Sequence, residues 1–231
     1  MFSIIAPMDT NRLEQFAVTK RLYDAMPQVK EFIIPTRSLE EVREFLTAHD
    51  LMRDIHLIPY SVEQGFNPSR AFNIGVRAAK YDRIIITSPE VMPTTGVLAQ
   101  LEVLPGENIV CQVADEDEEH NINTILVSKS YRGDTPGFYF LAVFNKSDIE
   151  AINGWDEEFM KGYAYEDDDF GARWVRAGLP FSIHEEIQGV HQYHPRSETI
   201  PGGANTNQSH YTDNNNNHVV RCANGLEKIN I

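Results

Sequence analysis

The first half of the chain alternates short apolar runs with amphipathic stretches, and that rhythm limits the available folds more than any other feature. Residues 2–6 (FSIIA) form a compact apolar run ended by Pro7, which predicts a buried strand. Residues 11–25 then carry Leu13, Phe16, Ala17, Lys20 and Leu22 at helical spacing. Residues 32–34 (closed by Pro35), 55–58 and 83–87 (RIIIT) read as three further strands, and 108–113 as another. Residues 69–80 and 94–103 read as helices. Ser38 followed by Glu41 is a capping-box pattern, which opens a helix to about residue 49. This β-α-β-α order predicts an α/β fold with a mainly parallel central sheet flanked by helices. Such sheets bind ligands beyond the carboxyl ends of their strands. Residues 7–11, Thr36 with Arg37, and 87–90 are therefore the first places to look for a site.

After residue 114 the rhythm breaks. Residues 115–119 (DEDEE) are an acidic run, read as a solvated loop. Residues 137–144 (GFYFLAVF) predict a strong apolar strand, 147–152 a short helix, and Asn153-Gly154 a turn. Residues 166–177 place Phe170, Trp174 and Val175 on one face, which predicts a helix that opens with acids. Residues 181–184 and 187–191 read as two short strands. Residues 201–218 hold Gly202, Gly203 and an asparagine run at 214–217. That composition supplies little core and predicts a mobile loop. Residues 221–231 read as a last short helix that docks back.

Composition removes some function classes. A chain of 231 residues with 42% hydrophobic content can bury a real core. Twenty Lys+Arg against 34 Asp+Glu leave a net charge of −14, which repels phosphate backbones and anionic membranes. Nucleic acid is therefore an improbable partner. Cys111 and Cys222, far apart, make neither a disulfide framework nor a zinc site, and they suit buried thiols in a reducing compartment. There is no signal-peptide pattern and no run of ~18 apolar residues that could span a membrane. The expectation is a cytoplasmic chain without a membrane span.

Three groups of residues carry chemistry. Glu166, Asp167, Asp168 and Asp169 follow the aromatic frame Gly162-Tyr163-Ala164-Tyr165. Each acid in a helix's first turn gains ~0.3–1 kcal/mol from the macrodipole, so the run alone reads equally well as an overbuilt helix start. Aromatic faces, however, stack on sugars, and a carboxylate beside them can bond hydroxyls and accept a proton. The pair His191-x-x-His194 ends a β-like stretch. Two imidazoles this close can converge on one metal ion with carboxylate oxygens completing the shell, although the bare pattern is more often structural. Glu90, in Thr87-Ser88-Pro89-Glu90, stands at the end of a parallel strand, where a metal–diphosphate site would be built. Taken alone it is an ordinary loop residue.

In chain order these groups follow FNPSRAFNIGVRAA (66–79) and continue through GFYFLAVFNKSDIEAINGWDEEFMKGYAYEDDDFGARW (137–174) to HQYH (191–194). The set resembles the GT-A-fold nucleotide-sugar glycosyltransferases, above all the β-1,4-galactosyltransferases and the transferase domains of bacterial chondroitin-type polymerases. Those proteins carry F-N-R-A-x-x-L-N-x-G, then D-x-D, then N-G-F…W-G-W-G-G-E-D-D-D, then a metal-binding histidine. The resemblance covers about residues 60–197. It implies a Rossmann-like GT-A domain over 1–198, with a nucleotide-binding half at 1–114 and an acceptor-binding half at 115–198. A flexible Asn/Gly-rich tail would follow over 199–231.

The resemblance also implies roles. Asp167 matches the catalytic base, while Glu166 and Asp168 match carboxylates that hold the acceptor sugar. Tyr163 stands where the family has a tryptophan against both sugars, and Trp155 of the N-G-W turn falls on the acceptor side. His194 matches the metal-binding histidine, and His191 a second ligand that is methionine in the animal enzymes. Glu90 matches the last acid of D-x-D and Ser88 the first. Arg70 and Asn73 lie in the segment that lines the nucleotide. Thr36 and Arg37 resemble the loop that meets the base, and Pro7 joins them on the donor side. Two departures stand out: Ser-Pro-Glu replaces D-x-D, and no Gly-Gly occurs around Leu141 and Ala142, which implies a different donor-sugar pocket.

The implied activity is inverting, metal-dependent hexosyl transfer from a nucleoside-diphosphate sugar, with UDP the favoured nucleotide, to a hydroxyl of a glycan or glycoconjugate. Glu90, His191 and His194 would hold Mn²⁺ or Mg²⁺, and nitrogen ligands favour Mn²⁺. Three alternatives remain open at this level: a nucleotide-sugar-binding protein without transferase activity, a zinc-dependent hydrolase using the two histidines, and transfer to a modified nucleic-acid base, which the net charge disfavours.

Overall fold

The computed structural model describes residues 1–61, 68–94, 96–127, 140–162, 164–195 and 203–229. The first half holds β1 (Phe2–Ile5), α1 (Leu13–Asp24), β2 (Val29–Thr36), α2 (Leu39–Ala48), β3 (Ile55–Pro59), α3 (Pro68–Ala78), β4 (Arg83–Thr87), β5 (Val91–Pro93) and α4 (Val97–Glu102). The second holds β6 (Ile109–Glu116), β7 (Ile122–Val127), β8 (Leu141–Asn145), α5 (Lys146–Ala151), α6 (Glu166–Arg176), β9 (Ser182–His191) and α7 (Gly203–Asn216). Short 3₁₀ turns cover Thr10–Arg12, Glu157–Lys161 and Leu226–Lys228.

The strands form one sheet in the order β3-β2-β1-β4-β8-β6-β9-β5, with β7 paired to β6. The isoleucine runs explain its first half. Ile4, Ile5, Ile33, Ile34, Ile84, Ile85 and Ile86 are all fully buried, as strands covered by helices on both faces require. These strands pair in parallel, β3–β2, β2–β1 and β1–β4. Phe16 and Tyr23 of α1 meet Phe32 edge-on at 5.4 and 5.5 Å. Helix α3 lies so close to β1 that a Cβ on Gly75 would come within 2.3 Å of Ile5 Cγ2.

Several expectations need correction. The hydroxyl of Ser38 makes no cap bond to α2; instead the Ser38 N–H donates to Thr36 Oγ1 at 3.1 Å. The two short strands expected over 181–191 are one ten-residue strand, β9. It is continuous because β6 offers it a parallel partner, with a register shift between Cys111 and Gln112 that accommodates its polar middle. The acidic run is not all loop either: β6 continues through Asp115 and Glu116 before turning into β7. Part of the expected strand over 137–144 lies outside the described residues, and within the described part β8 begins at Leu141.

The expected mobile tail contains a helix. Helix α7 is held by its side chains rather than by propensity, as tertiary packing allows for an asparagine-rich segment. Asn207 Nδ2 donates to the carbonyls of Phe159 (2.9 Å) and Ala164 (2.7 Å). Asn214 Nδ2 donates to Asp169 Oδ1 at 2.8 Å. Beyond it, the expected terminal helix is a single 3₁₀ turn that docks on the Asn153-Gly154 turn. Leu226 N–H donates to Asn153 O (2.9 Å), and Asn153 Nδ2 donates to Cys222 O (2.9 Å). Gly154 has φ +68°, and a Cβ there would lie 2.4 Å from Asn73 Oδ1. Both cysteines are free and buried, and burial pushes both thiols up. Among the described residues, no helix is long and apolar enough to cross a membrane.

Candidate active site

Strand register builds the centre of the site. His191, the last residue of β9, sits opposite Val91 of β5 on one side and Asp115 of β6 on the other. Glu90 directly precedes β5, so its carboxylate reaches the same point. His191 Nε2 lies 3.4 Å and His194 Nε2 3.6 Å from Glu90 Oε1. One potential ligand atom from each of the three lies within 4.8 Å of the others. The structure thus brings together the three residues expected to hold a metal.

The second nitrogen of each imidazole faces an acceptor. His191 Nδ1 is 2.8 Å from Asp115 Oδ1, and His194 Nδ1 is 2.9 Å from the Pro195 carbonyl. An acceptor at Nδ1 holds a proton there, so Nε2 is the nitrogen that would give up its proton, now facing Glu90, to coordinate a metal. The intervening loop is also pinned. Gln192 N–H donates to Glu90 O at 3.1 Å, and its buried amide reaches Gln15 O and Thr19 Oγ1 at 2.9 and 3.0 Å. Tyr193 N–H donates to Glu116 Oε1 at 3.0 Å.

The electrostatics fit a cation. Burial alone would raise the Glu90 carboxyl, but hydrogen bonds from His191 and His194 outweigh it and hold the group well below the usual carboxylate range. Glu90 is therefore an anion. Burial likewise works against a charged His191, yet Glu90 and Asp115 outweigh it and raise the imidazole above its ordinary value. Glu90 Oε2 is buried without a hydrogen-bond partner. Arg12 Nε lies 3.7 Å from Glu90 Oε1, so positive charge already gathers at this carboxylate. Two imidazole nitrogens and one carboxylate oxygen suit a divalent first-row transition ion.

The donor-side residues divide. At the ends of β1 and β2, Arg37 grips Asp9: its Nε lies 2.7 Å from Asp9 Oδ2, its Nη2 contacts the same oxygen, and its N–H donates to Oδ1 at 3.0 Å. Thr36 Oγ1 is 3.5 Å from Asp9 Oδ1. Sequence reasoning flagged residues 7–11 but did not single out Asp9. Pro7 is buried beside it. Ser88 sits in the β4–β5 turn, where its carbonyl accepts from Val91 N–H at 3.1 Å. Arg70 and Asn73, expected along a nucleotide, are engaged elsewhere. Asn73 is fully buried; it donates to Trp155 O (2.8 Å) and accepts from Trp155 N–H (2.9 Å). Arg70 pairs with Glu157 at 2.9 Å. The inner face of α3 thus clamps the N-G-W turn. Trp155, expected on the acceptor side, is also fully buried and stacks on Phe170 at 4.0 Å, which makes it core.

The acid run divides as well. Asp169 turns inward to a buried pair with Arg173 at 2.6 Å. Glu166, Asp167 and Asp168 are half-buried in the first turn of α6. Burial first, then the charges of Asp167 and Asp168, push the Glu166 carboxyl up to about 8. Tyr163 lies outside the described residues. Ala164 and Tyr165 both take left-handed backbone, with φ of 61° and 71°, at the positions where the family pattern has Gly-Gly. Such a conformation costs a non-glycine residue roughly 1–2 kcal/mol. The Asn207 bond to Ala164 O helps hold it. Tyr165 also meets Tyr211 of α7, with ring centroids 5.7 Å apart.

Comparison with solved structures identifies the architecture. TarS 1–349 of S. aureus, in complex with UDP-GlcNAc, superposes with a TM-score of 0.66 at 9% identity, over 85% of this chain and 59% of that one. The chain has the GT-A glycosyltransferase fold. The GT-A mannosyltransferase PcManGT of Pyrobaculum calidifontis, in complex with GDP-Man and Mn²⁺, superposes with a TM-score of 0.58 at 15% identity, over 87% of this chain and 57% of that one. The chain therefore spans less than two thirds of either structure's own length. Residues 130–195 match the family described as the N-terminal domain of galactosyltransferase; that stretch contains the N-G-W turn, the acid turn and the histidine pair. No match arises among curated proteins by sequence.

Proposed function

We propose that this GT-A protein is a metal-dependent, inverting glycosyltransferase. It moves a sugar from a nucleoside-diphosphate sugar, UDP-linked in the favoured case, to a hydroxyl of a glycan or glycoconjugate. The observation that carries the reading is the convergence of Glu90, His191 and His194 beyond the strand ends of a GT-A sheet. Glu90, His191 and His194 would hold Mn²⁺ in preference to Mg²⁺. A divalent ion there supplies a Lewis acid for the departing diphosphate. Asp9, Thr36 and Arg37 line the donor side, where the locked Arg37–Asp9 pair presents a fixed polar edge to the nucleotide.

The first turn of α6 handles the acceptor. Asp167 takes the proton from the attacking hydroxyl, a contribution worth typically ~10²–10⁴ in rate. Glu166, pushed up to about 8, keeps its proton near neutrality and donates a hydrogen bond to the acceptor. Its neutrality also spares Asp167 a second adjacent anion. Asp168 accepts from a further hydroxyl, and Tyr163 offers an aromatic face. One base and a single displacement invert the configuration at the anomeric carbon. The buried thiols suit a reducing, cytoplasmic setting, and the net charge of −14 favours a neutral acceptor over a polyanion.

The test is a donor panel of UDP-, GDP- and dTDP-sugars, reading released nucleotide with an added oligosaccharide, with and without Mn²⁺. Acceptor-dependent, Mn²⁺-dependent release supports the reading, and release from no donor refutes it. The same two-imidazole, one-carboxylate set also suits zinc. A zinc hydrolase, the second reading, requires stoichiometric zinc in the purified protein.

A further inference from the structure

The acidic run at 115–119 reads as solvated surface in the sequence, yet its first two residues lie behind the histidine pair. Asp115 is the β6 residue directly opposite His191 in the β6–β9 register. Its Oδ1 is 2.8 Å from His191 Nδ1, on the far side of the ring from Glu90. Glu116 accepts from the N–H of Tyr193, between the two histidines. Asp115 and Glu116, with His191, Tyr193 and His194, also line one cavity of about 380 Å³. Among the described residues Asp115 is outside the cluster of potential ligands, so its contact with the site runs through His191.

We propose that Asp115 is a positioning residue: it fixes the tautomer and ring orientation of His191, so that Nε2 is aimed at the metal position beside Glu90. The inference rests on the reading of Glu90, His191 and His194 as metal ligands. A carboxylate behind a ligating imidazole raises the basicity of the coordinating nitrogen and holds the ring in plane, and losing such a partner typically costs about 10–100-fold in metal affinity. His194 is aimed differently, by a carbonyl of its own loop. The two histidines are therefore separable: a change at Asp115 disturbs one ligand and spares the other.

The test measures Mn²⁺ affinity directly, from free Mn²⁺ by electron paramagnetic resonance, for wild type, Asp115→Ala and Asp115→Asn, each with its thermal midpoint. Asp115→Ala should bind Mn²⁺ about 10–100-fold more weakly. Asp115→Asn keeps an acceptor for Nδ1–H but loses the charge, and should lose less. Spin-echo spectra of bound Mn²⁺ should show two imidazole nitrogen couplings in wild type, with one weakened in Asp115→Ala. A purely structural role would lower the midpoint and leave both couplings intact. Wild-type affinity and both couplings in a folded Asp115→Ala overturn the proposal while the metal site stands. Should that variant not fold, Asp115→Leu, which also offers Nδ1–H no acceptor, takes its place, and wild-type affinity with both couplings there overturns the proposal. A wild-type protein that binds no Mn²⁺ overturns the metal reading and this inference with it.

Discussion

The Glu90 cluster and the first turn of α6 are both made of carboxylates at the ends of regular elements, but they are held in opposite ways. Glu90 lies among groups of the opposite kind. His191, His194 and Arg12 face the carboxylate, and each imidazole is aimed by an acceptor at its other nitrogen. At the start of α6, Glu166, Asp167 and Asp168 crowd together, on a backbone that turns through two left-handed non-glycine residues. A carboxylate among cationic and imidazole partners stays ionised and is ready to hold a metal. Glu166, buried beside two further carboxylates, holds its proton more tightly and can present it to a substrate as a hydrogen-bond donor.

The largest effect that would sharpen this contrast is chemical. Asp167→Asn should lower the transfer rate by about 10²–10⁴ while calorimetry finds donor binding unchanged. A variant with near-wild-type transfer would place the base elsewhere. The next effect is on stability against pH. Folding raises the Glu166 carboxyl from 4.5 to about 8, so between those values the folded protein holds a proton that the unfolded chain releases. Stability then falls as pH rises through that window and levels off above it. Glu166→Gln has no such proton to lose. Denaturant unfolding should show its advantage over wild type growing from pH 4.5 to about pH 8, and a constant difference would show that neither burial nor crowding raises the carboxyl. The smallest effect concerns the backbone. Ala164→Gly should gain about 0.5–1 kcal/mol, because glycine accepts the left-handed conformation and returns part of that gain as unfolded-state entropy. A lower thermal midpoint for that variant would deny the strain.

The same contrast marks how far the sequence could be read. The parallel half was legible because isoleucine runs and helical periods are local signals. The histidine pair, Glu90 and the acid turn were legible because each is a short motif, and their order carries the family resemblance. What was hidden depends on pairings between distant residues. Asp115 looks like one acid in a solvated run until the β6–β9 register sets it against His191, and Asp9 likewise gains its partner only when β1 and β2 lie side by side. Asn73 and Trp155 sit in the most family-like segments, yet they serve the packing that supports the site. Helix α7 was invisible because its asparagines favour helix only when Phe159, Ala164 and Asp169 stand opposite them.

The central claim is that Glu90, His191 and His194 hold a metal ion that receives a nucleoside diphosphate. Calorimetric titration of UDP and GDP into the wild-type protein and into His194→Ala, with Mn²⁺ and with a chelator, tests it most directly. The account predicts that at least one nucleotide binds wild type more tightly with Mn²⁺, and that His194→Ala loses that difference. Equal affinity with and without Mn²⁺ in the wild-type protein would contradict it.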